Sequence, residues 1–219
     1  MVKPESRRKI LLMKKLLEFV DREIYWVPTA AGLPAVFYIR DRKAGGILVN
    51  APGFSPALAR ELQTFGSVNY IFLPSRFGAG DLDAWRAATG AESMAFETEV
   101  PAIKGTVDIV LEPKSKLTRT IDFLPMAGRT RGSCALRLKN LPGAVFFGPI
   151  LEPGPAGWPT LVPHADDHSY ETRLLGALGL QDVKFEYAFT DVFDADRTRY
   201  GPGAGNAIRA EIERALGLA

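Results

Sequence analysis

Apolar residues recur at helical spacing over residues 4–21, PESRRKILLMKKLLEFVD, where Ile10, Leu11, Met13, Leu16, Leu17 and Val20 alternate with Arg and Lys. The pattern predicts an amphipathic surface helix docked on the domain, with a basic helix for a partner or an anionic surface as the alternative. The period then shortens. Residues 24–28 (IYWVP), 35–40 (AVFYIR) and 46–50 (GILVN) read as strands, the last apolar throughout as in a strand covered on both faces. Pro52-Gly53 ends it, and 55–66 (SPALARELQTFG) reads as a helix capped by Ser55. A strand at 68–73 and a helix around 82–89 complete a strand-helix-strand-helix order, the signature of a layered α/β sheet.

From about residue 91 the pattern repeats more coarsely. Strands are expected at 106–111, 120–125, 134–138 and 143–148, a Pro- and Gly-rich loop at 151–163, a helix at 168–179, a strand near 183–190 and a helix at 206–217. Two β-rich halves, each followed by helices, predict two sheets between helix layers.

Composition narrows the class. With 219 residues, 47% of them hydrophobic, the chain can bury one sizeable α/β core. A net charge of +2 is too small to point to nucleic acid, and none is expected as a partner. The single cysteine, Cys134, excludes an internal disulfide and fits a reducing, cytoplasmic setting. No apolar run approaches the roughly 20 residues of a membrane span. The apolar stretch near the N-terminus is short and broken by lysines, so no secretory leader is expected.

Five segments, in order, resemble those of the metallo-β-lactamase fold superfamily. GGILVNAPG resembles its second-strand segment, with Asn50 where an aspartate usually stands. YIFLPSRFGAGDLDAWR resembles the segment of the THxHxDH ligand motif, and FLPMAGRTRGSCALRL that of PGHTxGS. GAVFFGPIL resembles the strand ending LFTGD, and GPGAGNAIRAEIERAL the PGHG loop with its helix. The resemblance covers about residues 24–217. It implies an αββα sandwich of two mixed β-sheets flanked by helices over 23–219, with 1–22 as an N-terminal helix outside it.

The same resemblance implies where metal ligands would stand. They fall on Ser75, Phe77, Ala79, Gly80, Arg129, Pro149 and Ala204. Zinc in such sites takes histidine and carboxylate ligands and activates a bound water. None of these seven positions supplies such a group, and Arg129 puts a fixed positive charge where a dication would sit. No metal and no cofactor is therefore expected.

Other constellations are sparse. His164, Asp166, Asp167 and His168 cluster in VPHADDHSYE, and His164 and His168 would share a face if helical. Asp166 or Asp167 also suits a helix cap. Ser75 ends a strand, Ser133 follows a turn, and Cys134 opens an apolar strand as a small buried residue. GPGAG lacks the Lys-Ser/Thr ending of a phosphate loop. Arg76, Arg129 and Arg131 belong to loops around the former metal mouth and could bind a carboxylate or phosphate, with Asp81 an available ion-pair partner. The leading expectation is a metal-free, non-catalytic protein that binds a small anionic ligand or a protein partner at that mouth. The alternatives are an ester or phosphoester hydrolase with a rewired site, and an adaptor acting through the N-terminal helix.

Overall fold

The computed structural model describes residues 12–218. Its first sheet has seven strands in chain order: β1 (Lys14–Glu18), β2 (Arg22–Val27), β3 (Val36–Asp41), β4 (Gly45–Val49), β5 (Val68–Phe72), β6 (Glu92–Phe96) and β7 (Ile109–Leu111). The pairs from β1 to β4 are antiparallel; those from β4 to β7 are parallel. The parallel steps need crossovers, which α1 (Pro56–Phe65) and α2 (Leu82–Thr89) supply for the first two. The second sheet contains β8 (Lys116–Thr118), β9 (Ile121–Pro125), β10 (Cys134–Leu138), β11 (Ala144–Phe146) and β14 (Tyr187–Phe189), in the order β14-β11-β10-β9-β8. A short ladder of β12 (Glu152–Pro153) and β13 (Pro159–Thr160) precedes α3 (Tyr170–Leu178), and α4 (Ala204–Ala215) closes the chain.

Strand alternation sorts the side chains into three apolar layers. On β3, Val36 and Tyr38 face α1 and α2, where they meet Leu58, Leu62 and Trp85; Phe37 and Ile39 face the second sheet. There they join Phe72, Met94, Phe123, Leu136, Phe146 and Phe189. On the far side of the second sheet, Ala135, Val145 and Ala188 pack against Ala177 of α3 and Ile208 and Ile212 of α4. The result is the expected αββα sandwich.

The N-terminal segment departs from expectation. The first part of the helix anticipated over 4–21 lies outside the described residues, but Lys14–Glu18 is strand β1. Pairing with the edge of β2 overrides the helical periodicity, and an irregularity between Lys15 and Leu17 interrupts the register. Leu16 and Leu17 both pack on the layer between the sheets. The pattern also omits β6 and β8, and it overextends the strands anticipated at 106–111 and 183–190, which shorten to Ile109–Leu111 and Tyr187–Phe189.

Ser55 caps α1 as expected: its side chain accepts a hydrogen bond from the Leu58 amide, and Pro56 follows at the first helical position. Ser55→Ala is expected to cost about 1 kcal/mol of unfolding free energy in chemical denaturation.

Candidate functional site

Both sheets open toward one end of the sandwich. The loops following β4, β5, β9, β11 and β14 gather there, beneath the β2–β3 connection at residues 28–35. A cleft of about 770 Å³ lies between them, with walls that include Trp26, Leu33, Phe77, Pro149 and Phe193. Arg129, Glu152, Asp191 and Asp194 are its charged lining residues. A second cavity, of about 480 Å³, adjoins it across residues 28–30 and 33–34 and reaches Asn50.

One wall is a stack of charge and ring. The guanidiniums of Arg76 and Arg129 each lie 5.2 Å from the Phe77 ring centroid. Arg129 Nη1 is 3.0 Å from Asp166 Oδ1, and its Nε is 3.6 Å from Asp167 Oδ1. The adjacent Arg129 guanidinium holds the Asp166 carboxyl below its ordinary range. Asp167 is itself gripped by Arg173, whose Nη1 donates to Asp167 Oδ2 at 3.1 Å. The fully buried Arg173 also donates to the Ile150 carbonyl from Nε at 2.8 Å and to the Val162 carbonyl from Nη1 at 2.6 Å. Gly128 makes this approach possible: at φ 131° it lies where a Cβ would run into the Arg173 backbone.

The opposite wall holds a buried amide–carboxyl pair. Asn50, immediately after β4, has φ 63°, a left-handed conformation that asparagine tolerates better than most residues. Its Nδ2 donates to the Ala35 carbonyl and to Asp191 Oδ1, both at 2.8 Å. Asp191 follows β14; its amide donates to the Gly148 carbonyl at 3.1 Å, and its carbonyl accepts from Ala35 N at 2.6 Å. Among the described residues, Asp191 Oδ2 and Asn50 Oδ1 have no hydrogen-bond partner. Burial pushes the Asp191 carboxyl up to about 7, against the opposing hydrogen bond from Asn50.

The other sequence candidates separate. Ser75 is buried, and its hydroxyl accepts from the Phe77 amide at 3.3 Å, capping the turn Arg76–Gly78. Arg76 lies 4.0 Å from the buried Glu99 rather than beside Asp81. Asp81 instead accepts from the Phe54 amide at 2.7 Å and ties two loops together. Arg131 is exposed and is absent from the cleft lining, so the three arginines do not converge. His164 and His168 do not share a helical face, because α3 begins only at Tyr170. His164 Nε2 sits 2.5 Å from Glu152 Oε1, whereas His168 is exposed. The helix cap is Ser169, not Asp166 or Asp167, because Arg129 and Arg173 engage those carboxylates. Cys134 is buried as expected, and desolvation pushes its thiol well up. Sequence reading missed Asp191, Glu99, Glu152 and Arg173. Asp191 carries the clearest overlooked signal, an acid two residues past a short apolar strand.

No protein-family model matches the chain, and no curated protein matches it in sequence. Solved structures do resemble it. A metallo-β-lactamase from Pontibacter korlensis superposes with a TM-score of 0.68 at 16% identity, over 94% of this chain and 98% of that one. The DIM-1 metallo-β-lactamase gives 0.67 at 12% identity over 93% and 98%, and FEZ-1 from Legionella gormanii 0.64 at 17% over 89% and 91%.

The chain has the metallo-β-lactamase fold.

On this metallo-β-lactamase fold the positions implied for metal ligands do not fit a metal. Phe77, Arg129 and Pro149 line the cleft without supplying a suitable donor, and Ser75 is committed to its turn. Among the described residues, no group of three or more His, Cys, Asp or Glu side chains could hold a metal ion. One position moves. Ala204 packs in the core behind the second sheet, whereas Asp191 stands beside Gly148. The reason is topological: β14 pairs in parallel with β11, so the loops leaving both strands meet.

Arg173→Leu is expected to lower unfolding free energy by about 3–5 kcal/mol in urea, because it strands Asp167 in a buried site; a loss under about 1 kcal/mol would show the network to be dispensable. Asp191 gives a second expectation with a definite sign. Its folded pKa of about 7 exceeds the ordinary value of 3.8, so the folded state retains a proton that the unfolded state releases between them. Stability therefore falls as pH rises through that window. Asp191→Asn is expected to raise the melting temperature by several degrees at about pH 8, with the gain vanishing near about pH 4 in calorimetry.

Proposed function

We propose that this chain is a metal-independent, non-catalytic binding protein that takes a small, mainly apolar molecule in the cleft at the end of the sandwich. The observation that carries this reading is the Arg76–Phe77–Arg129 stack, anchored by Asp166 and Asp167, in which Phe77 and Arg129 occupy two of the positions where the resemblance implies metal ligands. The hydrolysis that the resemblance implies uses a metal-activated water, and the described side chains offer no cage for one. The cleft nevertheless keeps a size and a largely apolar wall suited to a small ligand.

An anionic ligand suits the cleft less well than the isolated arginines suggest. Asp166 and Asp167 already balance Arg129, Glu99 lies beneath Arg76, and three acids line the walls. An apolar molecule with one polar group meets less opposition. Binding would displace water from Trp26, Leu33, Phe77 and Phe193 at about 25 cal/mol per Å² of apolar surface covered.

The reading is tested by titrating the protein with phenethyl alcohol under nuclear magnetic resonance, alongside a turnover screen of lactam, ester, thioester and phosphodiester substrates with added zinc. Saturable shifts confined to residues 28–34, Phe77 and Phe193, with no turnover above background, are expected. Turnover above background, whether or not a chelator abolishes it, or shifts scattered over the surface, would overturn it.

A further inference from the structure

We propose that Asp191 is the polar anchor of the cleft and receives the ammonium group of a small organic amine whose apolar body packs against Trp26, Phe77 and Phe193. The inference rests on the binding role proposed above and adds the chemistry of the ligand.

Asp191 is held on every side but one. Its amide and carbonyl bind Gly148 and Ala35, and its Oδ1 binds Asn50. The residue is 7% exposed and lines the cleft, yet its Oδ2 has no partner among the described residues. Asn50 cannot relieve it. Both Asn50 amide hydrogens are used, on Asp191 Oδ1 and on the Ala35 carbonyl; the reversed amide would aim its oxygen at those same two acceptors. A buried carboxyl oxygen left without a donor costs free energy, so a ligand that brings N–H groups recovers it.

The surroundings favour a cation over a neutral donor. Asp194 and Glu152 line the same cleft, and Glu152, though it is hydrogen-bonded to His164, adds a charge that raises the Asp191 carboxyl further. The buried Cys134 thiol is another ionisable neighbour, and Arg129, the one cation in the lining among the described residues, is ion-paired with Asp166 and Asp167. An incoming ammonium makes a charge-assisted hydrogen bond to the carboxylate, stronger than the bond a hydroxyl would make. Aromatic walls also tolerate a cation better than aliphatic ones do.

This arrangement has a proton signature. Near about pH 6 the free carboxyl is largely protonated, and ammonium binding requires the carboxylate, so the proton leaves to the buffer. The group's raised pKa makes that release measurable. A residue that only braces the loops would release none.

The test is isothermal titration calorimetry with phenethylamine and its neutral analogue phenethyl alcohol, at about pH 6 and about pH 8, in buffers of differing ionisation enthalpy. The amine is expected to bind at least about tenfold more tightly than the alcohol at the higher pH and to release up to one proton at the lower. Asp191→Asn is expected to abolish the preference and the release while the alcohol still binds. Equal affinities in the natural protein, or a preference that survives Asp191→Asn, would overturn the anchor and leave the cleft's binding role standing. If neither molecule binds, both readings fail. Proton release is measured on the natural protein, so the test stands even if the variant does not fold.

Discussion

The guanidinium of Arg173 holds together the wall on which the cleft depends. It is fully buried, and its donors reach the carbonyls of Ile150 and Val162 and the carboxylate of Asp167. Those acceptors belong to the long segment between β11 and α3, which carries little regular structure of its own. A buried cation needs this degree of satisfaction, and the wandering backbone needs the donors it provides. Through Asp167 the same network steadies Arg129, and through Arg129 the Phe77 ring. Residues scattered over a hundred positions of sequence thus act as one wall.

The chemistry of the site follows from that arrangement. In a metal-dependent hydrolase a dication concentrates positive charge, and the protein surrounds it with neutral and anionic donors. Here the positive charge is built into side chains and is neutralised by Asp166 and Asp167 at one edge of the cleft. Asp191 is buried in the cleft lining without a cationic partner among the described residues, and burial raises its affinity for a proton. The fold has retained its loops and its opening, while the polarity inside differs from what a metal would require. The binding role proposed for the cleft draws on this difference.

Much of the fold was legible in the sequence because its layers impose simple periods. Residues 46–50 read as a strand covered on both faces, and the structure buries Ile47, Leu48 and Val49 between two apolar layers. The Ser55-Pro56 start of α1 was equally plain. The segment before residue 22 misled because helical spacing and a bulged edge strand both bring Leu16 and Leu17 to partly buried positions, and only the neighbour β2 decides between them. The site was less legible. Arg129 and Phe77 could be placed by resemblance, but the partners of Arg129 lie some forty residues away in a loop without periodicity. Asp191 was hidden for a related reason: its importance comes from the parallel pairing of β14 with β11, a long-range contact that no local pattern announces.

The central claim is that the side chains of the cleft exclude a catalytic metal. Anomalous diffraction at the zinc edge, from crystals grown in excess zinc, tests it directly. The account requires no anomalous peak among Phe77, Arg129, Pro149 and Asp191, with the Arg129–Asp166–Asp167 contacts unchanged. A strong peak there, coordinated by protein side chains, would contradict it.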